Sequence, residues 1–274
     1  MKTFRLLGMA LIAILMCVNF TSCSSDDDEI IKDDDGIITN QKKLVEVKMI
    51  DDSETSTWEY SYDTKGRLAS AVHTEKYGNT TDRDIYNYTW GNNVIMEEKG
   101  LSTNTYTLEN ALIRTIKSLN DGDLSNASFT YSSSNQLLTV KDIGQYGTYI
   151  QNYTWENERM IKVAHSETDN SNDASIYEYK FSGKTCKGYF PLWGDEVDDM
   201  HPLFYAHTEL VGMRSNQLPD QIYNKDDNSE MTIKYTYQLN KDEYIESCTM
   251  TYTEKRLDNN ETYTNTYIFT FKWE

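Results

Sequence analysis

From about residue 41 onward, apolar and polar positions alternate one by one, broken at short intervals by turn residues. Trp58, Tyr60 and Tyr62 are separated by Glu59 and Ser61, and Asp63-Thr64-Lys65-Gly66 then leads into Arg67-Leu68. Tyr86, Tyr88 and Trp90 alternate with Asn87 and Thr89 before Gly91-Asn92-Asn93 and Val94-Ile95-Met96. The same figure returns at Tyr106, Tyr131, Tyr153 and Tyr179, each close to a polar turn. Measured from Tyr62, the steps are 26, 18, 25, 22 and 26 residues. Two-residue alternation with that period means one β-hairpin per repeat. Further strands fall near 231–239, 244–254 and 262–273, for about 13 or 14 in all, and helical periodicity is nearly absent.

The predicted fold class is therefore all-β: an antiparallel meander of hairpins. A sheet of this many strands must curl, so closure into a barrel-like shell is expected. One face of each leading strand is aromatic and the other is Ser, Thr, Asn or Glu, which marks the aromatic face as buried. Tyr in place of Leu implies that each buried hydroxyl finds a partner.

Between Tyr189 and Asn228 the alternation stops. Asp198 or Asp199 can cap a short helix with Pro202 in its first turn and Gly212 as its stop. Leu203, Ala206 or His207, and Leu210 then share one face. An irregular, partly helical plug near 195–228 is expected to cover one opening of the barrel or fill its interior.

Composition adjusts this picture at the N-terminus. The 274 residues carry 44 acidic and 26 basic side chains, a formal charge of −18, with 21 Tyr, 8 Phe and 5 Trp. So much negative charge argues against recognition of nucleic-acid phosphates, and no nucleic-acid partner is expected. Lys2 and Arg5 followed by the apolar run Leu6–Val18 and then Phe20-Thr21-Ser22-Cys23 form a signal-peptide pattern. Cys23 at the cleavage position resembles the lipobox of bacterial lipoproteins, a resemblance that implies a leader over 1–22 and acylation of Cys23. Ser24-Ser25-Asp26-Asp27-Asp28-Glu29 and Asp33-Asp34-Asp35 follow. A stretch this charged cannot bury apolar surface and reads as a tether over 23–40, with one β-domain over 41–274. An EF-hand with Gly36 sixth would place Ile31 first and Lys42 twelfth, where carboxylates are required.

The signal peptide, the tyrosine-rich hairpins, and the segment His201-Pro202-Leu203 … Leu210-Val211-Gly212 … Ser215-Asn216-Gln217-Leu218-Pro219 together resemble a domain-of-unknown-function family of Bacteroidetes lipoproteins. That resemblance covers about residues 40–274 and implies a porin-like β-fold. The acidic tether beside Cys23 is similar to the export signal of Bacteroidetes surface lipoproteins, which implies the outer membrane, lipid-anchored and facing the exterior; a periplasmic face stays open. The hairpin Tyr60-Ser61-Tyr62-Asp63 … Gly66-Arg67-Leu68 also resembles a single YD repeat of shell-forming Rhs proteins. No catalytic residues are implied by either likeness.

Glu97, Glu98, Lys99, Arg114, Lys117 and Lys141 lie in the second strands of hairpins, where they would spoil the apolar outer band of a transmembrane barrel. Sequence motifs for phosphate loops, nucleophile elbows, His-Glu-x-x-His and CxxC are missing, so neither catalytic residues nor a cofactor are expected. His73 and His165 sit in repeat strands. His201 and His207, beside Asp195, Glu196, Asp198 and Asp199, are the one cluster with metal-ligand chemistry, but six residues apart they project from opposite helix sides. Capping acids with an interior histidine fit better, and no metal site is assigned. Cys186 and Cys248 could form a disulfide in an oxidising compartment or stay buried as thiols.

The leading functional expectation is a non-catalytic, monomeric surface binding module. Trp58, Trp90, Trp155, Trp193 and Tyr205 are the candidate stacking residues for a glycan or other small ligand. A structural or adhesion-like accessory of an outer-membrane assembly is the alternative, and a glycan hydrolase ranks behind both.

Overall fold

The alternation does fold as read. The computed structural model describes residues 42–51, 54–120, 122–145, 147–167, 175–190, 202–213, 215–226 and 228–274. Sixteen strands run in chain order: β1 (Leu44–Ile50), β2 (Glu54–Tyr62), β3 (Leu68–Tyr77), β4 (Thr80–Trp90), β5 (Val94–Lys99), β6 (Ser102–Glu109), β7 (Leu112–Asn120) and β8 (Asp123–Tyr131). They continue as β9 (Leu137–Gly144), β10 (Gly147–Glu156), β11 (Arg159–Glu167), β12 (Ser175–Thr185), β13 (Gln217–Lys225), β14 (Ser229–Leu239), β15 (Ile245–Arg256) and β16 (Thr262–Trp273). Each pairs antiparallel with its sequence neighbour, and β1 pairs with β16, closing the barrel. The seam sets Val47 against Phe271 and Met49 against Phe269, so closure continues the aromatic interior.

The sixteen strands exceed the 13 or 14 readable in the repeat, and one of the additional strands corrects the plug. The irregular segment ends before Gln217, because Gln217–Lys225 is the strand β13. Pro219 hides it by interrupting the alternation. It stands opposite Phe181, where the β12–β13 register shifts on both sides, a place where a missing ladder N–H is tolerated.

Inward positions hold the core: Val47, Trp58, Tyr60, Ala71, Ile95, Tyr106, Ile116, Phe129, Val163, Tyr179, Ile222, Ile233 and Phe269 are all buried in one cluster. Outward positions on the same strands are mostly polar. Thr249, Thr251 and Thr253 on β15 face Ile268, Thr266 and Thr264 on β16, and Lys162 on β11 faces Glu178 on β12. Outward apolar residues such as Ile85 on β4, Leu138 and Ile143 on β9, Ile176 on β12 and Ile268 on β16 are spread over four strands. This wall has no apolar belt among the described residues, the reverse of a barrel built for lipid. Of the charges weighed against insertion, Glu98, Lys117 and Lys141 do point outward, whereas Glu97 and Lys99 turn into the barrel.

One end of the barrel gathers the turns at 63–67, 91–93, 110–111, 132–136, 157–158 and 240–244, together with both ends of the described chain, where Lys43 and Glu274 exchange backbone hydrogen bonds of 2.6 and 2.9 Å. Asn93, Asn110, Asn135 and Asn157 take left-handed φ of 60, 53, 63 and 57° in these turns, the conformation asparagine accepts more readily than other side-chain-bearing residues. The β12–β13 connection also lies here, with helix α1 (Pro202–Ala206) and a 3-10 turn (Thr208–Val211). Gly212 ends it at φ 65°, the predicted stop. Leu203, His207, Leu210 and Val211 are buried, so this short segment plugs the end. We call it the closed end, and the opposite one the far end.

Candidate functional site

The closed end is built by a repeated clamp. In six of the eight consecutive strand pairs, the last inward aromatic of the second strand donates to a backbone carbonyl at the start of the first. Tyr62, Tyr131 and Tyr237 hydroxyls reach the carbonyls of Leu44, Ile113 and Pro219 at 2.6, 2.6 and 2.7 Å. The Trp90, Trp155 and Trp273 indoles reach those of Leu68, Leu137 and Ile245 at 2.7, 2.6 and 2.7 Å. The two remaining pairs carry Leu108 and Phe181 at this position, which have no donor. Burial in the clamp pushes the Tyr62, Tyr131 and Tyr237 hydroxyls upward from the ordinary phenol range. This is why the repeat uses Tyr and Trp: the ring fills the barrel while its donor satisfies a buried carbonyl.

The plug is locked onto the clamps by His207. Its Nε2 accepts the Leu68 N–H at 3.1 Å, so the proton sits on Nδ1 and is donated to Glu209 Oε1 at 2.6 Å. Tyr62 and Trp90 pack edge-on against the ring at 6.0 and 5.5 Å. These demands hold His207 at φ −140°, which divides α1 from the 3-10 turn. The interior histidine favoured over a metal ligand is thus observed for His207, while His201 and the neighbouring acids lie outside the described residues. His207 and Glu209 also line a small surface recess with Lys43, Tyr205 and Trp273. Both imidazole nitrogens are consumed, so the His207 ring has no lone pair left for substrate.

A second histidine contact was invisible in the sequence. Ser56 Oγ lies 2.7 Å from His73 Nε2, and Glu75 Oε1 is 3.5 Å from the same nitrogen. A hydrolytic triad would orient the base through its other nitrogen, Nδ1. Trp58 stacks on the imidazole at 4.1 Å and 7°. Burial lowers His73 to about 4, with Asp84 and Asp82 opposing and Lys99 assisting. Only the barrel register brings these residues together: β2 and β3 pair Trp58 with His73 and Ser56 with Glu75.

Toward the far end the inward positions become polar. Glu97, Asn104, Ser118 and Ser125 stand opposite one another on β5, β6, β7 and β8. Glu97 accepts from the Tyr88 hydroxyl at 2.7 Å, the Tyr106 hydroxyl at 2.9 Å and the Asn104 amide. Burial first, then the Glu97 charge, raises both phenols well above their ordinary range. Asn104 Oδ1, Ser118 Oγ, Ser125 Oγ and Asp142 Oδ1 are buried without a hydrogen-bond partner. Burial also raises the Asp142 carboxyl. Above this row the far rim exposes Tyr77, Leu101, Leu124 and Tyr263, with 65, 86, 67 and 60% of their surfaces in solvent.

Among the described residues, the stacking residues expected from sequence do not form a groove. Trp58 is 5% exposed, Trp90 and Trp155 are half-buried clamps, and Tyr205 is half-buried on the plug. Trp193 lies outside the described residues. Cys186 and Cys248 are free and buried, the second of the two alternatives open from the sequence. Cys248 faces Tyr237 and Phe269 across its neighbouring strands, whereas Cys186 follows β12, three strand spacings away along the wall. Burial pushes each thiol up to about 12.

The fold defines a class first: a closed antiparallel meander barrel with a hydrophilic outer wall and one plugged end. No family model matches the chain, and no curated protein does either. Among solved structures it is similar to a porin-like protein from Bacteroides uniformis ATCC 8492, with a TM-score of 0.66 and 17% identity over 84% of this chain and 98% of that one. It is also similar to a porin-like protein from Bacteroides vulgatus ATCC 8482, with a TM-score of 0.55 and 14% identity over 85% and 99%. The likeness is one of fold, and it supports the porin-like architecture expected from the sequence.

Proposed function

We propose that the chain is a lipid-anchored, non-catalytic binding protein of the outer membrane, facing the cell exterior, which meets its ligand at the far end of the barrel. The observation that carries this reading is the contrast between the two ends. The closed end is plugged, clamped and tied by Lys42–Asp242 and Lys187–Glu243 ion pairs. The described chain begins there, at Lys42, so a tether acylated at Cys23 would join the membrane on that side. The far end carries exposed apolar side chains and unpartnered acceptors, the marks of a surface that meets something else. The hydrophilic wall supports a barrel standing in water, and the porin-like neighbours support an outer-membrane setting. A glycan or another small ligand remains the occupant considered, now through the far-end polar row in place of the buried tryptophans.

The aromatic-filled interior favours a second reading, a rigid structural or adhesion-like accessory. Three measurements test these readings, the first two in cells expressing the full chain. Cys23→Ala should release the protein from the outer membrane, and protease applied to intact cells should cleave the wild type. A thermal-shift screen of glycans and small metabolites on the soluble mature chain should then find a stabilising ligand. Protection from external protease would overturn exterior exposure; a screen without hits, together with a cross-linked envelope partner, would favour the accessory.

A further inference from the structure

The polar row beneath the far rim has a chemical sign. Glu97, Asn104, Ser118 and Ser125 are 4, 4, 1 and 1% exposed and stand in direct cross-strand register. Such neighbours place their Cβ atoms about 4.5–5.5 Å apart. Asp142 faces Ala127, the next inward position along β8 from Ser125. Asn104 commits its amide N–H to Glu97, which leaves Oδ1 purely an acceptor. Asp142 Oδ1 is an acceptor as well, and Ser118 Oγ and Ser125 Oγ complete four buried oxygens without a partner. A buried polar atom left unmatched is costly, so native sites supply a partner. Here every unmatched atom of the row can accept, and the partner that suits it is rich in N–H or O–H donors.

The adjacent wall shows which donor. Lys99 also turns inward, two residues along β5 from Glu97 toward the far rim. It is held by Asp84 at 2.5 Å and lies 5.1 Å over the Tyr86 ring. The barrel therefore already holds one ammonium with a carboxylate and a phenol face, and that ammonium is committed. We propose that the Asn104–Ser118–Ser125 row, with Asp142 as the counter-charge, binds a primary alkylammonium group, carried by a free polyamine or by a lysine side chain. Three N–H donors match the three neutral oxygens, and the positive charge offsets Asp142. An anion could take the two serine O–H groups but would be repelled by the Asp142 carboxylate. This inference rests on the reading of the far end as the binding end and assigns its ligand class.

The test uses the mature chain in thermal-shift and calorimetric titrations with spermidine, N-acetyl-lysine amide, glucose and calcium chloride, at matched ionic strength. Spermidine or the lysine derivative should bind saturably, and whichever binds more tightly identifies the source. Asp142→Asn and the pair Ser118→Ala with Ser125→Ala should each weaken that binding at least tenfold. The serine variants should melt no lower than wild type, since each removes a buried hydroxyl that the unliganded protein leaves unmatched. Amine binding that the variants leave unchanged would be diffuse attraction to an acidic chain and would overturn the site. Glucose or calcium binding with this dependence on Ser118, without amine binding, would overturn the ligand class while sparing the binding end. Silence from all four probes would overturn the site and count against the far-end reading itself.

Discussion

Replacing Gly212 by alanine tests how the closed end is held. Gly212 ends the plug at φ 65° and ψ 19°, and its carbonyl accepts the Leu137 N–H at 3.3 Å. A Cβ there would stand 2.3 Å from the Asn135 carbonyl oxygen and 2.9 and 3.0 Å from two atoms of the Tyr131 ring. Neither neighbour can yield freely: Asn135 is itself left-handed at φ 63°, and Tyr131 is fixed through its hydroxyl to Ile113. The backbone conformation alone costs alanine about 1–2 kcal/mol, and displacing the plug removes a hydrogen bond worth about 1 kcal/mol with further loss from separated contacts. The two quantified terms sum to about 2–3 kcal/mol, which for a domain of this size corresponds to a fall in Tm of at least about 5 °C. Gly183→Ala is the control, because φ there is 90° and nothing lies within 4 Å of the new methyl. Hydrogen exchange followed by mass spectrometry should show faster exchange across 202–213 in Gly212→Ala, while the strand ladders keep their protection. If Gly212→Ala melts like Gly183→Ala and exchanges like wild type, the plug is not seated as described.

The clamps predict that Tyr62→Phe and Trp155→Phe each destabilise by about 1–3 kcal/mol in urea melts, since a carbonyl at the plugged end loses its donor; losses below about 0.5 kcal/mol in both would refute the clamp. His73 predicts an acid-side loss. With its folded-state value near 4 against 6.5 when free, the unfolded chain takes up the proton first, so this contribution is complete above about pH 6.5 and falls away as pH drops toward 4. Discounted for solvent near the ring, the effect is about 1–2 kcal/mol, and His73→Gln should flatten that part of the stability–pH curve. Cys186 and Cys248, buried with thiols pushed up to about 12, should resist maleimide at pH 8 until urea unfolds the chain, and native labelling at either would contradict their burial.

Much of the architecture is legible in the chain because alternation is a local property. Tyr60 and Tyr62 must share a face whatever their partners, and repeated hairpins leave few arrangements besides a meander. Gly212 as a stop, and Leu203 with His207 and Leu210 on one buried side, follow from helix periodicity and chain stereochemistry. β13 escaped because Pro219 breaks the local pattern, and the bulge that accommodates it exists only in the pairing with β12. The site depended on tertiary structure still more. Tryptophan at a strand position reads equally as a stacking platform or a core ring, and only the carbonyls of Leu68 and Leu137 decide that Trp90 and Trp155 are clamps. Ser56 beside His73, and Asn104, Ser118 and Ser125 in one row, are products of register, which no single strand contains. The sequence by itself thus determined most of the strands, their buried faces and the stop of the plug, because each depends on neighbours in the chain. Barrel closure, the capture of His207 and the unmatched oxygens of the far end were decided by the tertiary structure, because each depends on which strand lies alongside which.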